Sequence, residues 1–547
     1  MRAARRTARR LCVGVVAALL PALLPTVALA RGAAAAEEPP QPPPMATWRE
    51  APCPVPVPVP DTAGRTVRCG WAQVPAHHAD PAGATVEVAA AVIPARRPVG
   101  QPPLVMLAGG PGEKLVRPAL LGSIVALAND VPAGLTFLAQ DRDLVLLEQR
   151  GAGASRPALE CPEVANAWSR TGASAGAGLV DAVVAGYAAC RARLVADGID
   201  LAAFNTAEAA RDVPAAVAAL GYASFDLFGT SYGARLALQV ARLPDSGLRR
   251  LVLASAIPAE ADFVRDVGAS YDAALHELGA ACAEDPECAR RVPDLVTALD
   301  GVLRRLEREP APVVTIDPQT GRVVATTLDA FGFDSAVYGL FYSPGGPALV
   351  PTLVARAAAG DLSGFSVAVS EAGSAAAAGA PAGQGFGAQE SVSISLGQQV
   401  TFLCAEEHAR PDEPLPAGTV RSYAAALFVA VHPVLGHNLD RVCQVWDVPP
   451  APGLVFDPVR FEGPTLVVSG RFDQITPPAY GRAIAASLPA SVSVVVPSAG
   501  HSPIVGAGRC GLGVVIDFVS RAEPATVDTG CLDAPLTFRL DAVDAPV

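Results

Sequence analysis

A serine between two glycines carries the strongest chemical signal in the sequence. Residues 229–233 read GTSYG, which fits Gly-x-Ser-x-Gly, with an apolar strand-like segment before them and a helix-like segment after them. In that setting the serine lies on a tight strand-to-helix turn that exposes its hydroxyl, and side chains two residues before or after it would clash. We therefore predict that Ser231 is the nucleophile of a serine hydrolase; the alternative is an ordinary glycine-rich turn.

A hydroxyl nucleophile needs a base, and the base needs an acid that orients it. Where a serine occupies such a turn, the acid and then the histidine follow it along the chain. Asp473 follows an apolar strand-like segment at 465–469, and His501 is the only one of the seven histidines beyond it. We predict that His501 takes the proton from Ser231 and that Asp473 holds the imidazole, although aspartate and histidine also occur in ordinary loops.

The oxyanion that forms during such a reaction needs backbone N–H donors. Tyr232, directly after the serine, is expected to supply one donor, and the glycine-rich turn at 109–112 the other. Gly110 is our candidate within that turn, with its neighbours as alternatives. The turn lacks the Gly-Lys-Ser/Thr ending of a phosphate-binding loop, so we predict no nucleotide site there.

Strands that alternate with helices are expected to position these residues. We predict helices at 207–220 and 234–243, and strands at 67–74, 85–93, 104–107, 143–147, 225–228, 251–254, 465–469 and 492–496. This alternation indicates an α/β fold with a mainly parallel central sheet that is covered on both faces. Between 258 and 455 the alternation stops and the sequence is mostly helix-like, which indicates a large helical cap insertion.

The amino terminus is typical of an export signal, because arginines precede an apolar run at 11–24 and the small-residue sequence ALA at 28–30. A retained membrane anchor is the alternative, and a twin-arginine signal is possible in place of the general one. The predicted segments are a signal peptide at 1–30, a Pro/Ala-rich linker at 31–60, the first part of the core at 61–257, the cap at 258–455 and the last part of the core at 456–547. Within the cap, the Ala/Gly-rich stretch at 371–389 is predicted to be a loop.

Cysteine usage agrees with export. One of the 11 cysteines lies in the predicted signal, and the other ten are Cys53, Cys69, Cys161, Cys190, Cys282, Cys288, Cys404, Cys443, Cys510 and Cys531. They fall in order into neighbouring couples, so we predict five local disulfides and a secreted or periplasmic location in a bacterium. We expect no stable membrane insertion once the signal is removed.

No metal, cofactor or nucleic-acid site is predicted. The sequence has no Cys-x-x-Cys pair, and we expect His77, His78, His432 and His437 to be surface or loop groups. The net charge is −12 and no basic block lies beyond the amino terminus, which argues against nucleic-acid binding.

Several motifs in a fixed order resemble the secreted tripeptidyl aminopeptidases and the prolyl aminopeptidase-like group of α/β-hydrolases. They are residues 107–112, 148–155, 229–233, 470–473 with 476–477, 500–501, 404–406 and 443–446. The resemblance implies a helical cap over the site and the release of short N-terminal units, either a tripeptide or a single residue such as proline. It also implies acidic residues that bind the substrate's free amine, for which Glu406 and Glu407 are candidates, with a structural role as the alternative. One departure is Glu113-Lys114, where relatives often continue with small or polar residues.

Three functions therefore remain open on the sequence. The first is a secreted serine exopeptidase, the second is a secreted carboxylesterase or another small ester or amide hydrolase, and the third is a non-catalytic binding protein on the same scaffold. The complete Ser231, Asp473 and His501 set argues against the third. The expected partner is a peptide or a small ester or amide, and the sequence does not determine the oligomeric state.

Overall fold

The structure is a computed structural model that describes residues 46–56, 67–117, 139–171, 178–316, 323–365, 394–410, 415–452, 456–521 and 526–540. The predicted signal peptide at 1–30 and the predicted loop at 371–389 lie outside the described residues. Within those ranges, no helix is long and apolar enough to cross a membrane.

The described strands form a large sheet and a separate hairpin. In chain order they are β1 (Thr47–Ala51), β2 (Arg68–Pro75), β3 (Thr85–Ile93), β4 (Leu104–Leu107), β5 (Leu144–Leu147), β6 (Phe225–Thr230), β7 (Leu248–Ala254), β8 (Ala311–Ile316), β9 (Val323–Leu328), β10 (Thr465–Gly470) and β11 (Ser491–Val496). The nine-stranded sheet has the order β1-β2-β3-β5-β4-β6-β7-β10-β11. The neighbours β5, β4, β6, β7, β10 and β11 pair in parallel, whereas β1, β2 and β3 add an antiparallel edge.

The described helices lie between the strands of the sheet, in the segment between β7 and β10, and after β11. In chain order they are α1 (Pro162–Thr171), α2 (Leu179–Ala196), α3 (Thr206–Ala219), α4 (Tyr232–Ala241), α5 (Phe263–Glu284), α6 (Pro286–Arg291), α7 (Leu295–Arg308), α8 (Ala330–Leu340), α9 (Val350–Ala358), α10 (Leu396–Phe402), α11 (Tyr423–Val431), α12 (Leu439–Trp446), α13 (Pro478–Ser487), α14 (Pro503–Gly506) and α15 (Gly508–Arg521). Short 3₁₀ turns occupy Leu201–Ala203, Gly346–Leu349 and Gly530–Asp533, and a π turn at Leu403–Glu407 continues α10.

Both faces of the sheet are buried, as expected for parallel strands. Successive side chains of β4 point to opposite faces, so Val105 and Leu107 join one apolar cluster and Leu104 and Met106 join the other. Helix α4 packs in the first cluster and α15 in the second. The predicted α/β class, with its mainly parallel sheet, is therefore confirmed.

The cap lies in the sequence between β7 and β10. It contains helices α5 to α12, in agreement with the predicted helical insertion at 258–455. It also contains β8 and β9, which pair antiparallel in a two-stranded hairpin that the sequence prediction missed. Their alternating and β-branched residues were assigned to helix-like sequence because the surrounding segments are helical.

The predicted linker at 31–60 needs a correction. Residues 47–51 within it form β1, which pairs with β2 at the edge of the sheet. Cys53, directly after this strand, forms a disulfide with Cys69 in β2. The prolines that follow at 54–60 concealed a short strand because prolines dominate the composition of the whole stretch.

The ten cysteines form five disulfides with the predicted neighbour-to-neighbour pairing. The pairs are Cys53–Cys69, Cys161–Cys190, Cys282–Cys288, Cys404–Cys443 and Cys510–Cys531. Two of them, Cys282–Cys288 and Cys404–Cys443, link elements of the cap.

Candidate active site

Ser231 lies on the turn between β6 and α4. Its backbone has φ 57° and ψ −120°, a conformation that a residue with a side chain adopts only when its surroundings hold it there. A Cβ on Gly229 would lie 2.3 Å from the carbonyl oxygen of Gly233, and a Cβ on Gly233 would lie 2.4 Å from that of Leu107. Close backbone approach therefore requires both glycines of the motif, for the reason that the sequence suggested.

Asp473 and His501 come together at the carboxyl edge of the sheet. Asp473 follows β10 and His501 follows β11, and these strands are parallel neighbours. The Nδ1 atom of His501 lies 2.8 Å from Oδ1 and 2.9 Å from Oδ2 of Asp473. Both residues are about 1% exposed, so the pair is shielded from water.

The surroundings of Asp473 keep its carboxylate ionised. Burial by itself raises the pKa of Asp473, but the charge and hydrogen bond of His501 and the hydrogen bonds of Thr476 outweigh burial and leave the pKa below its ordinary value. Its oxygens accept from the N–H of Ile475 (3.1 Å) and from the N–H and Oγ1 of Thr476 (both 2.7 Å). The contact of Thr476 is a functional detail that the sequence analysis missed, although residue 476 belongs to one of the ordered motifs.

The cap contributes to the position of His501. The His501 N–H donates to the carbonyl of Phe341, directly after α8 (2.7 Å), and the ring of Tyr342 meets the imidazole edge to face with centroids 4.9 Å apart. The Ser502 hydroxyl donates to the carbonyl of Tyr342 (2.8 Å), and that of Ser255 donates to the carbonyl of His501 (3.2 Å). The loop that carries His501 is therefore held by contacts with both the sheet and the cap.

Ser231 and His501 line one small cavity. Its other lining residues include Phe263, Tyr342, Ile394, Gln399, Leu403, Leu435 and Ile475, most of which belong to the cap. The cavity has a volume of about 30 Å³, whereas a single water needs roughly 10–15 Å³ measured in the same way. A peptide or an ester is larger than a space of this volume.

The two predicted oxyanion donors lie beside Ser231. Gly110 lines the same cavity and has φ 98°, a conformation that suits glycine. Tyr232 is the first residue of α4, so its N–H has no partner within the helix. The geometry is compatible with an oxyanion held between the N–H groups of Gly110 and Tyr232.

Gln149 holds the glycine turn in shape. Its Oε1 accepts from the N–H of Gly112 (2.9 Å), and its Nε2 donates to the carbonyls of Ala108 (2.9 Å) and Gly109 (3.0 Å). The sequence analysis noted the motif at 148–155 but assigned no contact to Gln149.

Among the described residues that line the cavity with Ser231 and His501, Glu113 is acidic. Its Oε2 accepts from the N–H of Gly109 (3.1 Å), and its Oε1 lies 3.7 Å from Nη2 of Arg117. Burial raises the pKa of Glu113, while Arg117, the Gly109 N–H and His501 act in the opposite direction. In the sequence, Glu113 is a departure from relatives to which we assigned no role.

Glu406 lies elsewhere, although it was a candidate for binding the substrate's amine. Its two oxygens accept from the N–H (2.7 Å) and the hydroxyl (2.8 Å) of Thr206, whose hydroxyl also contacts the Tyr232 hydroxyl (2.9 Å). Glu406 is buried, and burial raises its pKa to about 7. It does not line the cavity at Ser231.

Glu407, the second candidate, is held by two arginines. Its Oε1 lies 2.5 Å from Nη1 of Arg235 and 3.4 Å from Nε of Arg410. Glu407 lines a different cleft, of about 710 Å³, rather than the cavity at Ser231. The structure therefore brings neither candidate acid to the predicted nucleophile.

His78 and His432, which we expected to be surface or loop groups, lie in loops, but their side chains are buried. His78 Nε2 lies 2.8 Å from Asp212, which also forms a buried ion pair with Arg150. His432 Nδ1 accepts from the N–H of Leu435 (3.0 Å), and burial lowers the pKa of His432 to about 3. Neutral His432 thus helps to hold Leu435 at the cavity wall.

One group of residues at metal-ligand spacing occurs within the described ranges, and its chemistry does not suit a metal. It consists of Cys161, Glu163 and Cys190. The two cysteines form a disulfide and Glu163 pairs with Arg193, so no thiolate is available as a ligand.

Two family models match the chain. The model described as alpha/beta hydrolase fold matches residues 102–332, which include Gly110 and Ser231, and the model described as TAP-like protein matches residues 403–531, which include Asp473 and His501. No curated protein matches the sequence.

Solved structures that resemble the chain include a proline iminopeptidase from Mycobacterium smegmatis and a thermophilic esterase from Thermogutta terrifontis. The first is 16% identical, covers 80% of this chain and 96% of its own, and has a TM-score of 0.34. The second is also 16% identical, covers 80% of this chain and 92% of its own, and has a TM-score of 0.32. Neither likeness bears on the reaction of this chain.

Proposed function

Because the chain belongs to the α/β hydrolases and has a TAP-like carboxyl-terminal region, we propose that it is a serine hydrolase whose triad is Ser231, His501 and Asp473. The observation that carries this proposal is the buried His501–Asp473 pair, whose histidine lines the same cavity as the strained Ser231.

In the proposed reaction, the Ser231 hydroxyl attacks the substrate carbonyl while His501 takes its proton on the ring nitrogen that faces away from Asp473. Ionised Asp473 fixes the tautomer and stabilises the imidazolium that forms. The N–H groups of Gly110 and Tyr232 receive the negative charge on the carbonyl oxygen. His501 then protonates the leaving group, and water releases the acyl group from Ser231 by the reverse steps.

We propose further that the enzyme is an exopeptidase. The cap roofs the cavity, which suits a substrate that enters by one end rather than a long chain that runs through the site. Among the described lining residues Glu113 supplies a buried carboxylate, which suits a substrate with a free amine. A carboxylesterase remains the second candidate because Phe263, Leu403, Leu435 and other apolar side chains form most of the cavity wall.

We propose that the protein acts outside the cytoplasm. The five disulfides support an oxidising compartment, since such bonds are rare where glutathione keeps thiols reduced. The signal-like amino terminus supports the same proposal.

A panel of substrates tests the function. The purified mature protein is assayed with aminoacyl-, prolyl- and tripeptidyl-arylamides, with short-chain aryl esters and with N-acetylated copies of the best arylamide. The exopeptidase proposal expects acetylation to remove most activity, and unchanged rates on acetylated substrates would reject it in favour of the esterase.

Ser231→Ala should lower turnover roughly 10⁴- to 10⁶-fold with an unchanged unfolding temperature. Wild-type turnover in that variant would reject the triad.

A further inference from the structure

Glu113 lies very close to the predicted nucleophile. If Gly109 carried a Cβ, that atom would lie 3.2 Å from the Cβ of Ser231 and 3.3 Å from Oε2 of Glu113. The carboxylate also lies near enough to His501 for the imidazole to affect its pKa. Glu113 is therefore a neighbour of the reacting atoms and not a distant part of the cavity.

The carboxylate of Glu113 is held by one hydrogen bond and by one longer ion pair. The Gly109 N–H fixes Oε2, whereas the nearest arginine nitrogen, Nη2 of Arg117, is 3.7 Å from Oε1 and hence beyond hydrogen-bond distance. Glu113 is only 8% exposed, so water solvates it poorly. A buried carboxylate in this condition gains from a cation that reaches it.

The distance between the free amine and the attacked carbonyl carbon determines which substrate can place its amine at Glu113. In a peptide, the free amine of the first residue lies two bonds, or about 2.5 Å, from the carbonyl carbon of the same residue. Each additional residue before the attacked carbonyl moves the amine about 3.3–3.6 Å away, so a tripeptide places it roughly 7 Å further off. A carboxylate beside Ser231 therefore matches the amine of the residue that Ser231 acylates.

The two other described acids that were candidates for this role have different partners. Glu406 binds Thr206, Glu407 binds Arg235 and Arg410, and neither lines this cavity. Among the described lining residues Glu113 is thus the available carboxylate, and the surrounding walls are mainly apolar.

We infer that Glu113 binds the α-ammonium of the residue whose carbonyl Ser231 attacks, and that the enzyme releases single apolar N-terminal residues rather than tripeptides. This inference rests on the proposed exopeptidase function and names its substrate class.

The test compares two substrates in three proteins. The substrates are leucine 4-nitroanilide, which has a free amine beside its carbonyl, and 4-nitrophenyl butyrate, which has none. The proteins are the wild type, Glu113→Gln and the control Glu160→Gln, which removes a half-exposed carboxylate that pairs with Lys114 outside the cavity (3.0 Å). Glutamine retains an acceptor for the Gly109 N–H, so Glu113→Gln removes the charge with little change of shape.

We expect Glu113→Gln to lower the ratio of kcat/KM for the anilide to kcat/KM for the ester about 10- to 100-fold, because one charge-assisted hydrogen bond is lost. Glu160→Gln should leave that ratio unchanged. An equal loss on both substrates in Glu113→Gln would indicate a structural role and overturn the inference.

Fragment length supplies the second arm of the test. Wild-type enzyme should cleave leucine and proline 4-nitroanilides faster than tripeptidyl 4-nitroanilides that end in the same residue. Faster release of intact tripeptides, lost on N-acetylation and in Ser231→Ala, would overturn the inference while the exopeptidase proposal stands. Equal activity on free and N-acetylated substrates would reject the exopeptidase proposal itself.

Discussion

The sheet edge and the cap contribute to the same cavity in different ways. Ser231 directly follows β6, and Asp473 and His501 lie in the short turns after β10 and β11, so turns at one edge of the sheet supply all three residues. The cap acids are positioned by distant partners, as Glu406 is by Thr206, 200 residues earlier in the chain. The difference indicates that local turns at the sheet supply the chemistry, whereas long-range contacts of the cap supply enclosure and stability.

The largest expected effect is a loss of turnover, without a loss of stability, when Asp473 at the edge of the sheet is replaced. Asp473→Asn should lower kcat about 10³- to 10⁴-fold, because asparagine cannot hold His501 in the required tautomer or stabilise the imidazolium. Steady-state kinetics and thermal unfolding of the same preparation measure both quantities. A loss of turnover that merely follows a loss of folded protein would mean that Asp473 is structural.

The cap disulfides should affect stability instead. In the chain-entropy description, removing Cys404–Cys443, which spans 39 residues, costs about 4 kcal/mol, and removing Cys282–Cys288, which spans six, costs about 2 kcal/mol. Denaturant unfolding of the two double-alanine variants measures the costs. Equal costs, or a larger cost for the short loop, would show that loop closure is not what these bonds contribute.

The smallest expected effect is a pH dependence from Glu406. Burial raises the pKa of Glu406 from its ordinary value of 4.5 to about 7, so the folded protein holds the proton more tightly than the unfolded chain does. Its favourable contribution is therefore complete below pH 4.5 and is lost as the pH rises through 7.

Glu406→Gln should reduce the fall in unfolding free energy between pH 5 and pH 8 by up to about 3 kcal/mol relative to wild type. The comparison between variant and wild type is necessary because burial also raises the pKa of Glu148 to about 7. An identical pH dependence in both proteins would show that Glu406 is ionised throughout this range. If Glu406→Gln lost activity only on substrates with a free amine, Glu406 would be a residue that binds the substrate.

The sequence predicts most of the sheet because its signals are local. Apolar runs such as 104–107 and 85–93 coincide with strands, and the remaining predicted strands differ from the structure by at most three residues at an end. The nucleophile turn is local in part, since a Cβ on Gly229 would meet residue 233, whereas a Cβ on Gly233 would meet Leu107 of the neighbouring strand. The disulfide pairing followed from chain order because each couple joins segments that are close in sequence.

Other features depend on tertiary contacts and escaped prediction. Strand β1 exists because β2 offers it an edge, and a proline-rich neighbourhood conceals it. The burial of His432 and Glu406 was not predicted, because no local pattern reveals burial within the cap. Glu113 is adjacent to a motif, but its position beside Ser231 depends on how the glycine turn folds back on β6.

An activity-based label tests the central claim most directly. The intact protein is treated with a fluorophosphonate, which reacts with activated serines, and the modified peptide is identified by mass spectrometry. The proposed triad predicts one equivalent of label on Ser231 and at least a 10³-fold slower reaction in His501→Ala, since the hydroxyl is then no longer activated. Label on another residue, or labelling of Ser231 at the wild-type rate without His501, would contradict the account.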